Sequence, residues 1–312
     1  MPEPAFFSIP SPVPGLALHM FHHPAATNPG RQAVLYVHGA TFPAALSAGF
    51  RFDGRSWADA MAEAGFDVFG VDFLGFGGSD RYPEMAATPE AAPPLGRAPA
   101  AAAQIGCAVA AITARLGLPR VLLLAHSWGC MVAGLFATLE PERVERLVLF
   151  GPITRREGPA APMPPAWQCV TNAAQWARFI ADVPQGAAGV LSPAHFAAWA
   201  PAYLASDPTS LSRDPPSVAI PCGPRADIAD AWAGRLPYEP SRITAPLCIL
   251  RGAWDSLCTD ADAAWLFDAC TAAPLKRDVK LGHGTHLMHL EAGRTALHRD
   301  AIAFLRGESY GL

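Results

Sequence analysis

Runs of apolar residues alternate with helical patterns along the first half of the chain. Four runs barely alternate between apolar and polar positions, which is typical of strands buried on both faces. They are QAVLYVHG (32–39), FDVFGVDF (66–73), RVLLLAHS (120–127) and RLVLFGP (146–152). Residues 56–65 and about 99–117 lie between these runs and have helical patterns. Because strands that alternate with helices form parallel sheets, we predict an α/β fold with a mostly parallel sheet flanked by helices.

Prolines interrupt this alternation between residues 153 and 242, where we expect short helices and loops. Beyond residue 242 the alternation resumes. The resumed elements are PLCILRG (246–252), a helix near 260–270, RDVKLG (277–282) and a last helix. We therefore predict an α/β core formed by residues 1–152 and 243–312. Residues 153–242 are predicted to form an inserted, mainly helical cap subdomain, a plausible size for a small unit.

Composition narrows the class of protein. Apolar residues make up 51% of the 312 residues and charged residues 16%, so the chain has the material for a large core. The net charge is −4 and no basic run occurs, so we expect no nucleic-acid partner. We also expect no signal peptide, no membrane span and no cofactor. The seven scattered cysteines indicate free thiols in a reducing cytoplasm. Nothing in the sequence sets the oligomeric state.

The stretch VLLLAHSWGCMVAG (121–134) places Ser127 between a buried strand and a helix. A nucleophilic serine at such a turn has small neighbours two positions away on each side, written G-x-S-x-G. Gly129 supplies one of them and Ala125 the other, with one extra methyl group. The free N–H groups at the start of the helix favour a nearby oxyanion. The alternative is that Ser127 only caps the helix.

The sequence YVHGATF (36–42) ends the first long predicted strand. Ligands of open α/β sheets bind at the carboxyl ends of the strands, where this turn lies. The backbone N–H of Ala40 or Thr41, together with the N–H of Trp128, could therefore form an oxyanion hole. The alternative is an ordinary turn, and for His38 itself we favour a structural role.

Two further strand ends carry candidates for an acid and a base. Asp255 follows the strand at 246–252 and could orient a histidine, although a helix-capping role is the alternative. In LGHGTHLMHLE (281–291), His283, His286 and His289 recur every three residues. Gly282 and Gly284 disfavour one helix face that would hold three metal ligands, so we predict no metal site. His286 is the best-placed base, and we expect Glu291 to open the following helix. The chain order is then Ser, Asp, His.

These motifs resemble those of the α/β-hydrolase fold superfamily, in its cap-bearing, AB hydrolase-1-like branch of serine hydrolases. The matching stretches are His38-Gly39, GVDFLGFGGSD (70–80), AHSWG (125–129), GAWD (252–255) and THLMHLE (285–291). The resemblance implies a catalytic triad of Ser127, Asp255 and His286. It also implies oxyanion donors at Ala40 or Thr41 and at Trp128, and structural roles for Asp72 and Asp80. Ala125 departs from the usual glycine.

The nucleophile limits the reaction. Relatives with aspartate at this turn are dehalogenases and epoxide hydrolases, and Ser127 argues against both activities. We expect acyl transfer to serine and then to water, from a small ester or lactone with a hydrophobic group. Aromatic residues of the predicted cap suit an apolar pocket roof, although the cap's own small core needs aromatics too. They are Trp167, Trp176, Trp199, Trp232, Phe179, Phe196 and Tyr203.

Three other readings stay open. An aminopeptidase or amidase similar to proline iminopeptidases would need cap carboxylates to hold the substrate amine. The available ones are Asp182, Asp207, Asp227, Asp230 and Glu239. The same triad could hydrolyse a carbon–carbon bond of a diketone. A hydrolase-like receptor would bind a small hydrophobic ligand and turn it over slowly or not at all.

Overall fold

The computed structural model describes residues 3–27 and 31–308. Ten strands are present within these residues. They are β1 (Ala5–Pro10), β2 (Ala17–His23), β3 (Gln32–Val37), β4 (Phe66–Asp72), β5 (Val121–His126), β6 (Val144–Phe150), β7 (Trp167–Thr171), β8 (Ser217–Pro221), β9 (Leu247–Gly252) and β10 (Lys276–Leu281). Eight form one sheet in the order β1-β2-β4-β3-β5-β6-β9-β10. Within this sheet, the pairs β1–β2 and β2–β4 are antiparallel and the other pairs are parallel.

Helices cover both faces of this sheet. The α-helices are α1 (Trp57–Glu63), α2 (Ala98–Leu116), α3 (Trp128–Leu139), α4 (Asn172–Ile180), α5 (Pro193–Ala205), α6 (Gly223–Trp232), α7 (Asp260–Ala269) and α8 (Arg294–Leu305). Leu35 and Val37 of β3 pack in one buried cluster with α2 and α3, and Val34 and Tyr36 pack in the other with α1 and α8. Strands sandwiched in this way need apolar residues at consecutive positions. The predicted α/β fold with a mostly parallel sheet is therefore confirmed.

Helix α2 has the length and the apolar composition that a membrane-spanning helix would need. Its buried side chains include Ile105, Val109 and Ile112, which belong to the cluster that α2 forms with α3 and the sheet. The apolar character of α2 is thus used in the core of the fold.

The chain between β6 and β9 carries α4, α5, α6 and the antiparallel ribbon β7–β8. We call residues 153–242 the inserted segment. The sequence predicted its short helices but not the ribbon, because β7 and β8 are separated by more than forty residues and pair only in three dimensions. Its role as a separate cap subdomain stays a prediction.

The turns that carry the candidate site residues lie at one edge of the sheet. The parallel strands β3, β5, β6 and β9 are neighbours in the order β3-β5-β6-β9. Parallel strands run in one direction, so their carboxyl ends, at Val37, His126, Phe150 and Gly252, face the same side. The turns after β3, β5 and β9 are among those that the sequence selected for chemistry, whereas the turn after β6 was not selected.

Candidate active site

Ser127 occupies a sharp turn between β5 and α3. Its backbone has φ 58° and ψ −126°, a conformation that L-residues rarely adopt. The Ser127 N–H donates to the Phe150 carbonyl at 2.9 Å, which ties the turn to β6. The Ser127 side chain makes no capping hydrogen bond to α3. Ser127 therefore occupies the N-cap position without capping the helix through its side chain, and its role as the nucleophile stays a prediction.

The small residues beside Ser127 have different importance. A β-carbon on Gly129 would lie 2.4 Å from the His38 carbonyl oxygen and 2.8 Å from that of Val37. Only glycine fits there, because β3 and α3 approach each other through their backbones. Ala125 is fully buried in β5, and its methyl group is accommodated in the core beside α3. The departure from glycine at this position is sterically tolerated.

The structure brings Ser127, His286 and Asp255 into one hydrogen-bonded line. His286 Nε2 lies 2.7 Å from Ser127 Oγ. His286 Nδ1 lies 3.0 Å from Asp255 Oδ1 and 2.9 Å from Oδ2. All three residues are buried, with 3–6% of their surface exposed. A carboxylate on Nδ1 selects the tautomer whose Nε2 is free to accept the serine proton.

Asp255 is held in its ionised form. Burial alone would raise its pKa, but the charge of His286 and its hydrogen bond oppose that effect. The N–H groups of Leu257 and Cys258 also donate to Oδ1, each at 2.9 Å. The pKa of Asp255 therefore lies below its ordinary value. The helix-capping alternative for Asp255 is wrong, because Thr259 caps α7.

The predicted oxyanion donors make no backbone hydrogen bond within the described residues. Within residues 3–27 and 31–308, the backbone N–H groups of Ala40, Thr41 and Trp128 donate to no protein acceptor. Trp128 is the first residue of α3, so its N–H has no partner within the helix. The turn of Ala40 packs closely against Ser127, since a β-carbon on Gly39 would lie 3.2 Å from Ser127 Cβ.

His38 has the structural role that the sequence favoured. Its Nδ1 donates to the Gly39 carbonyl at 2.7 Å, and its Nε2 accepts the N–H of Phe73 at 3.1 Å. Burial lowers the pKa of His38 to about 4, although the Gly39 bond opposes this. The neutral ring therefore joins the end of β3 to the loop after β4.

The three histidines after β10 do not converge. His283 packs at a tilt against Trp254, with 5.3 Å between ring centroids, and His286 faces Ser127. His289 is buried between Phe42 and His126, and neither of its ring nitrogens has a hydrogen-bond partner among the described residues. In the described part of the chain, no group of three or more His, Cys, Asp or Glu residues is arranged to hold a metal ion.

Glu291 does not open a helix, so that expectation is wrong. Helix α8 begins three residues later, at Arg294. The fully buried Glu291 carboxylate instead accepts hydrogen bonds from the Thr285 backbone N–H and hydroxyl. Because Thr285 precedes His286, this contact closes the loop that presents the imidazole. Sequence reasoning missed this role, and the only signal was an acidic residue within an apolar stretch.

Gly151 is another residue that the sequence analysis missed. It follows β6 with φ 55°, a conformation that favours glycine. A β-carbon at this position would lie 3.0 Å from both Asp255 Oδ2 and His286 Nδ1. Glycine therefore leaves room for the acid–base pair. The detectable signal was its place at the end of a predicted buried strand.

The aspartates of the GVDFLGFGGSD stretch hold loops, as the resemblance implied. Asp72 accepts from the N–H groups of Ala44 at 3.0 Å and Gly78 at 3.1 Å. Burial raises the pKa of Asp72 to about 6. Asp80 accepts the N–H of Ala17 at 2.7 Å. Neither side chain contacts the Ser127–His286 pair.

The aromatic residues of the inserted segment divide into two groups. Phe179 and Trp199 pack on Phe42, with centroid distances of 5.7 and 5.4 Å, and Phe42 directly follows Thr41. Trp232 lies beneath the Arg156 guanidinium at 4.6 Å. Trp167 is tied to the Ala87 carbonyl oxygen. The first group lies beside the candidate oxyanion turn, whereas Trp167 and Trp232 are engaged elsewhere.

Comparisons with known proteins agree with this architecture. Residues 32–292 match the family model for the alpha/beta hydrolase fold. None of the curated proteins matches the chain.

Three similar solved structures are a serine hydrolase from the bacterium Cycloclasticus zankles, a thermophilic esterase from Thermogutta terrifontis and an epoxide hydrolase from Vigna radiata. The serine hydrolase has a TM-score of 0.66 and 14% identity, over 99% of this chain and 100% of that one. The esterase has a TM-score of 0.59 and 17% identity, over 97% and 98%. The epoxide hydrolase has a TM-score of 0.62 and 12% identity, over 98% of each chain.

At these identities the likeness to solved structures shows the fold and not the reaction. The match to the family model, in contrast, covers most of the chain and includes every candidate site residue. The chain belongs to the alpha/beta hydrolase fold family.

Proposed function

We propose that this protein is a serine hydrolase that acts on a carboxylic ester or lactone with a hydrophobic group. The observation that carries the proposal is the buried line from Ser127 Oγ through the His286 imidazole to Asp255, with distances of 2.7 and 2.9 Å. A serine in a strained turn, in contact with an oriented imidazole, is the arrangement that nucleophilic catalysis needs.

The reaction follows from this arrangement. His286 Nε2 removes the Ser127 proton as Oγ attacks the carbonyl carbon, and Asp255 stabilises the imidazolium. The tetrahedral oxygen accepts hydrogen bonds from the Trp128 N–H and the N–H of Ala40 or Thr41, each contributing on the order of 3 kcal/mol. The imidazolium then protonates the departing alkoxide. The same histidine activates water, which releases the acid from the Ser127 acyl-enzyme.

The preference for a hydrophobic group rests on the aromatic side chains around Phe42. The ring centroids of Phe179 and Trp199 lie 5.0 Å apart, and Tyr203 stacks on Trp199 with 4.9 Å between centroids. Substrate pockets are lined mainly by apolar and aromatic residues, with few polar groups. In this proposal, the inserted segment covers the Ser127 turn as a cap, and its aromatic face contacts the hydrophobic part of the substrate.

The carboxylates of the inserted segment give the aminopeptidase alternative no support. Such an enzyme needs an acidic side chain that is free to bind an amine. Each of the five candidates already has a partner. The partners are Arg178 and Ser256 for Asp182, Arg213 for Asp207, Arg97 for Asp227 and Asp230, and Ser241 for Glu239. An ester, which carries no obligatory charge, suits these surroundings better.

A comparison of p-nitrophenyl butyrate with the p-nitroanilides of proline and alanine tests the proposal. We expect the wild type to hydrolyse the ester with a far higher kcat/KM than either anilide. Ser127→Ala and His286→Ala should each lose nearly all ester turnover. His283→Ala is the matched control and should retain it. Turnover of no substrate by the wild type, or full activity in Ser127→Ala, would contradict the proposal. Faster anilide hydrolysis would favour the aminopeptidase.

A further inference from the structure

The buried side chain of Trp128 is hydrogen-bonded to a residue of the inserted segment. Its indole is fully buried and packs edge-on against Phe73, with 5.5 Å between centroids. The indole Nε1–H donates to Asp227 Oδ2 at 3.0 Å. Asp227 lies on α6, about a hundred residues away along the chain. The residue that carries a proposed oxyanion donor is thus bonded directly to the inserted segment.

Asp227 is itself fixed by two further donors. Its Oδ1 accepts from Arg97 Nε at 2.7 Å, and its Oδ2 accepts from the Ala98 backbone N–H at 2.6 Å. Ala98 is the first residue of α2. The Asp227 side chain is 2% exposed, and burial raises its pKa even though Arg97 and Trp128 oppose this. One carboxylate therefore joins the starts of α2 and α3 to α6.

The position of the indole bears on the backbone of the same residue. Trp128 is the first residue of α3, and the preceding Ser127 has φ 58°. At such a strained turn, the direction of the Trp128 N–H depends on how firmly the Trp128 side chain is held. A bulky ring that is locked at its far end supplies that restraint. A misplacement of about 1 Å in a catalytic group can cost on the order of a hundredfold in rate.

We propose that Asp227 is a positioning residue: by holding the indole of Trp128, it aims the Trp128 backbone N–H at the oxyanion. This inference rests on the proposed function. The turn of the other oxyanion donor, Ala40 or Thr41, is also hydrogen-bonded to the inserted segment. Gln175 Nε2 of α4 donates to the Thr41 carbonyl at 3.4 Å. Both parts of the proposed oxyanion hole are therefore hydrogen-bonded to the inserted segment, and the bond to Asp227 is the shorter of the two.

A purely structural role for Asp227 is the competing explanation, since it also pairs with Arg97. Asp230 distinguishes the two. It lies on α6 and pairs with the same Arg97 guanidinium, but the Trp128 indole N–H donates to Asp227 and not to Asp230. A loss that comes from weakened attachment of α6 would appear in both Asp227→Ala and Asp230→Ala. A loss that comes from the oxyanion donor would appear only in Asp227→Ala.

The experiment compares Asp227→Ala, Trp128→Phe, their double mutant and Asp230→Ala in hydrolysis of p-nitrophenyl butyrate. Trp128→Phe removes the indole donor but leaves Asp227 bonded to Arg97 and Ala98, which guards against a folding defect in Asp227→Ala. Melting temperatures are measured for all variants. We expect Asp227→Ala and Trp128→Phe each to lower kcat by about 10- to 100-fold, with KM changed by less than about threefold. The double mutant should have a kcat no lower than that of the less active of Asp227→Ala and Trp128→Phe. Asp230→Ala should keep the wild-type kcat.

Phenylboronic acid supplies a readout that does not depend on turnover. Its boron binds Ser127 Oγ, the hydroxyl proton passes to His286, and one boronate oxygen occupies the oxyanion position. Its affinity should fall in Asp227→Ala and Trp128→Phe by a factor similar to that of kcat, but not in Asp230→Ala. Equal effects of Asp227→Ala and Asp230→Ala, or losses that multiply in the double mutant, would overturn the inference while leaving the proposed function intact. An inactive wild type would overturn both.

Discussion

Glu291 is fully buried beneath the loop that presents His286, with no cation as its partner among residues 3–27 and 31–308. Burial raises its pKa from 4.5 to about 7, although the hydrogen bonds from Thr285 oppose this effect. The carboxylates of Asp182 and Asp255 act in the same direction as burial. Glu291→Gln keeps the shape of this side chain and removes its ionisation.

The size of the effect follows from these pKa values. Between pH 4.5 and about 7, folded Glu291 retains a proton that the unfolded chain has lost. The stability contributed by this group is therefore fully present below pH 4.5 and is lost as the pH rises through 7. Between about pH 5 and about pH 8 the wild type should lose about 2.5 kcal/mol of unfolding free energy through this group alone. Glu291→Gln cannot undergo this loss.

Urea denaturation of both proteins at the two pH values measures the effect. Relative to the wild type, Glu291→Gln should gain about 2.5 kcal/mol of unfolding free energy on going from about pH 5 to about pH 8. This difference does not depend on any pH-independent cost of the substitution. Glu142→Gln, at an exposed surface position, is the matched control and should differ from the wild type equally at both pH values. Parallel pH curves for the wild type and Glu291→Gln would refute the reasoning.

Two glycines give further predictions. Gly129→Ala places a β-carbon 2.4 Å from the His38 carbonyl oxygen and should lower the unfolding free energy by about 1–3 kcal/mol in urea denaturation. Gly189→Ala has open space around it and serves as the control; equal effects at both sites would contradict the steric argument. Gly151→Ala intrudes on the ring of His286 at 3.0 Å and should lower kcat for p-nitrophenyl butyrate more than about tenfold. An unchanged kcat would show that the acid–base pair tolerates the extra methyl group.

The sheet and the ends of its strands were predictable because burial on both faces leaves a local mark. Strands β3, β4, β5, β6 and β9 are nearly continuous apolar runs, and each predicted boundary lies within two residues of the observed one. Such runs also mark where a strand stops. Ser127 and Asp255 were found because Ser127 directly follows β5, Asp255 lies three residues after β9, and both strands end at the same edge of a parallel sheet.

Features that depend on distant contacts left no local mark. Strands β1 and β2 pair antiparallel at one edge of the sheet, and only three dimensions show which sheet they join. The bond from Trp128 to Asp227 spans 99 residues. Glu291 could be read as the start of a helix, since sequence position alone does not distinguish a capping carboxylate from a buried one. The inserted segment was the least predictable part, because prolines break its periodicity.

Acyl transfer to Ser127 is the central claim, and mass spectrometry tests it most directly. Wild-type protein is mixed with p-nitrophenyl butyrate, quenched with acid during turnover and digested. We predict one butyryl group on the peptide that contains Ser127, and none on that peptide from Ser127→Ala. Turnover without any butyryl adduct at Ser127, or an adduct on a different side chain that survives in Ser127→Ala, would contradict the account.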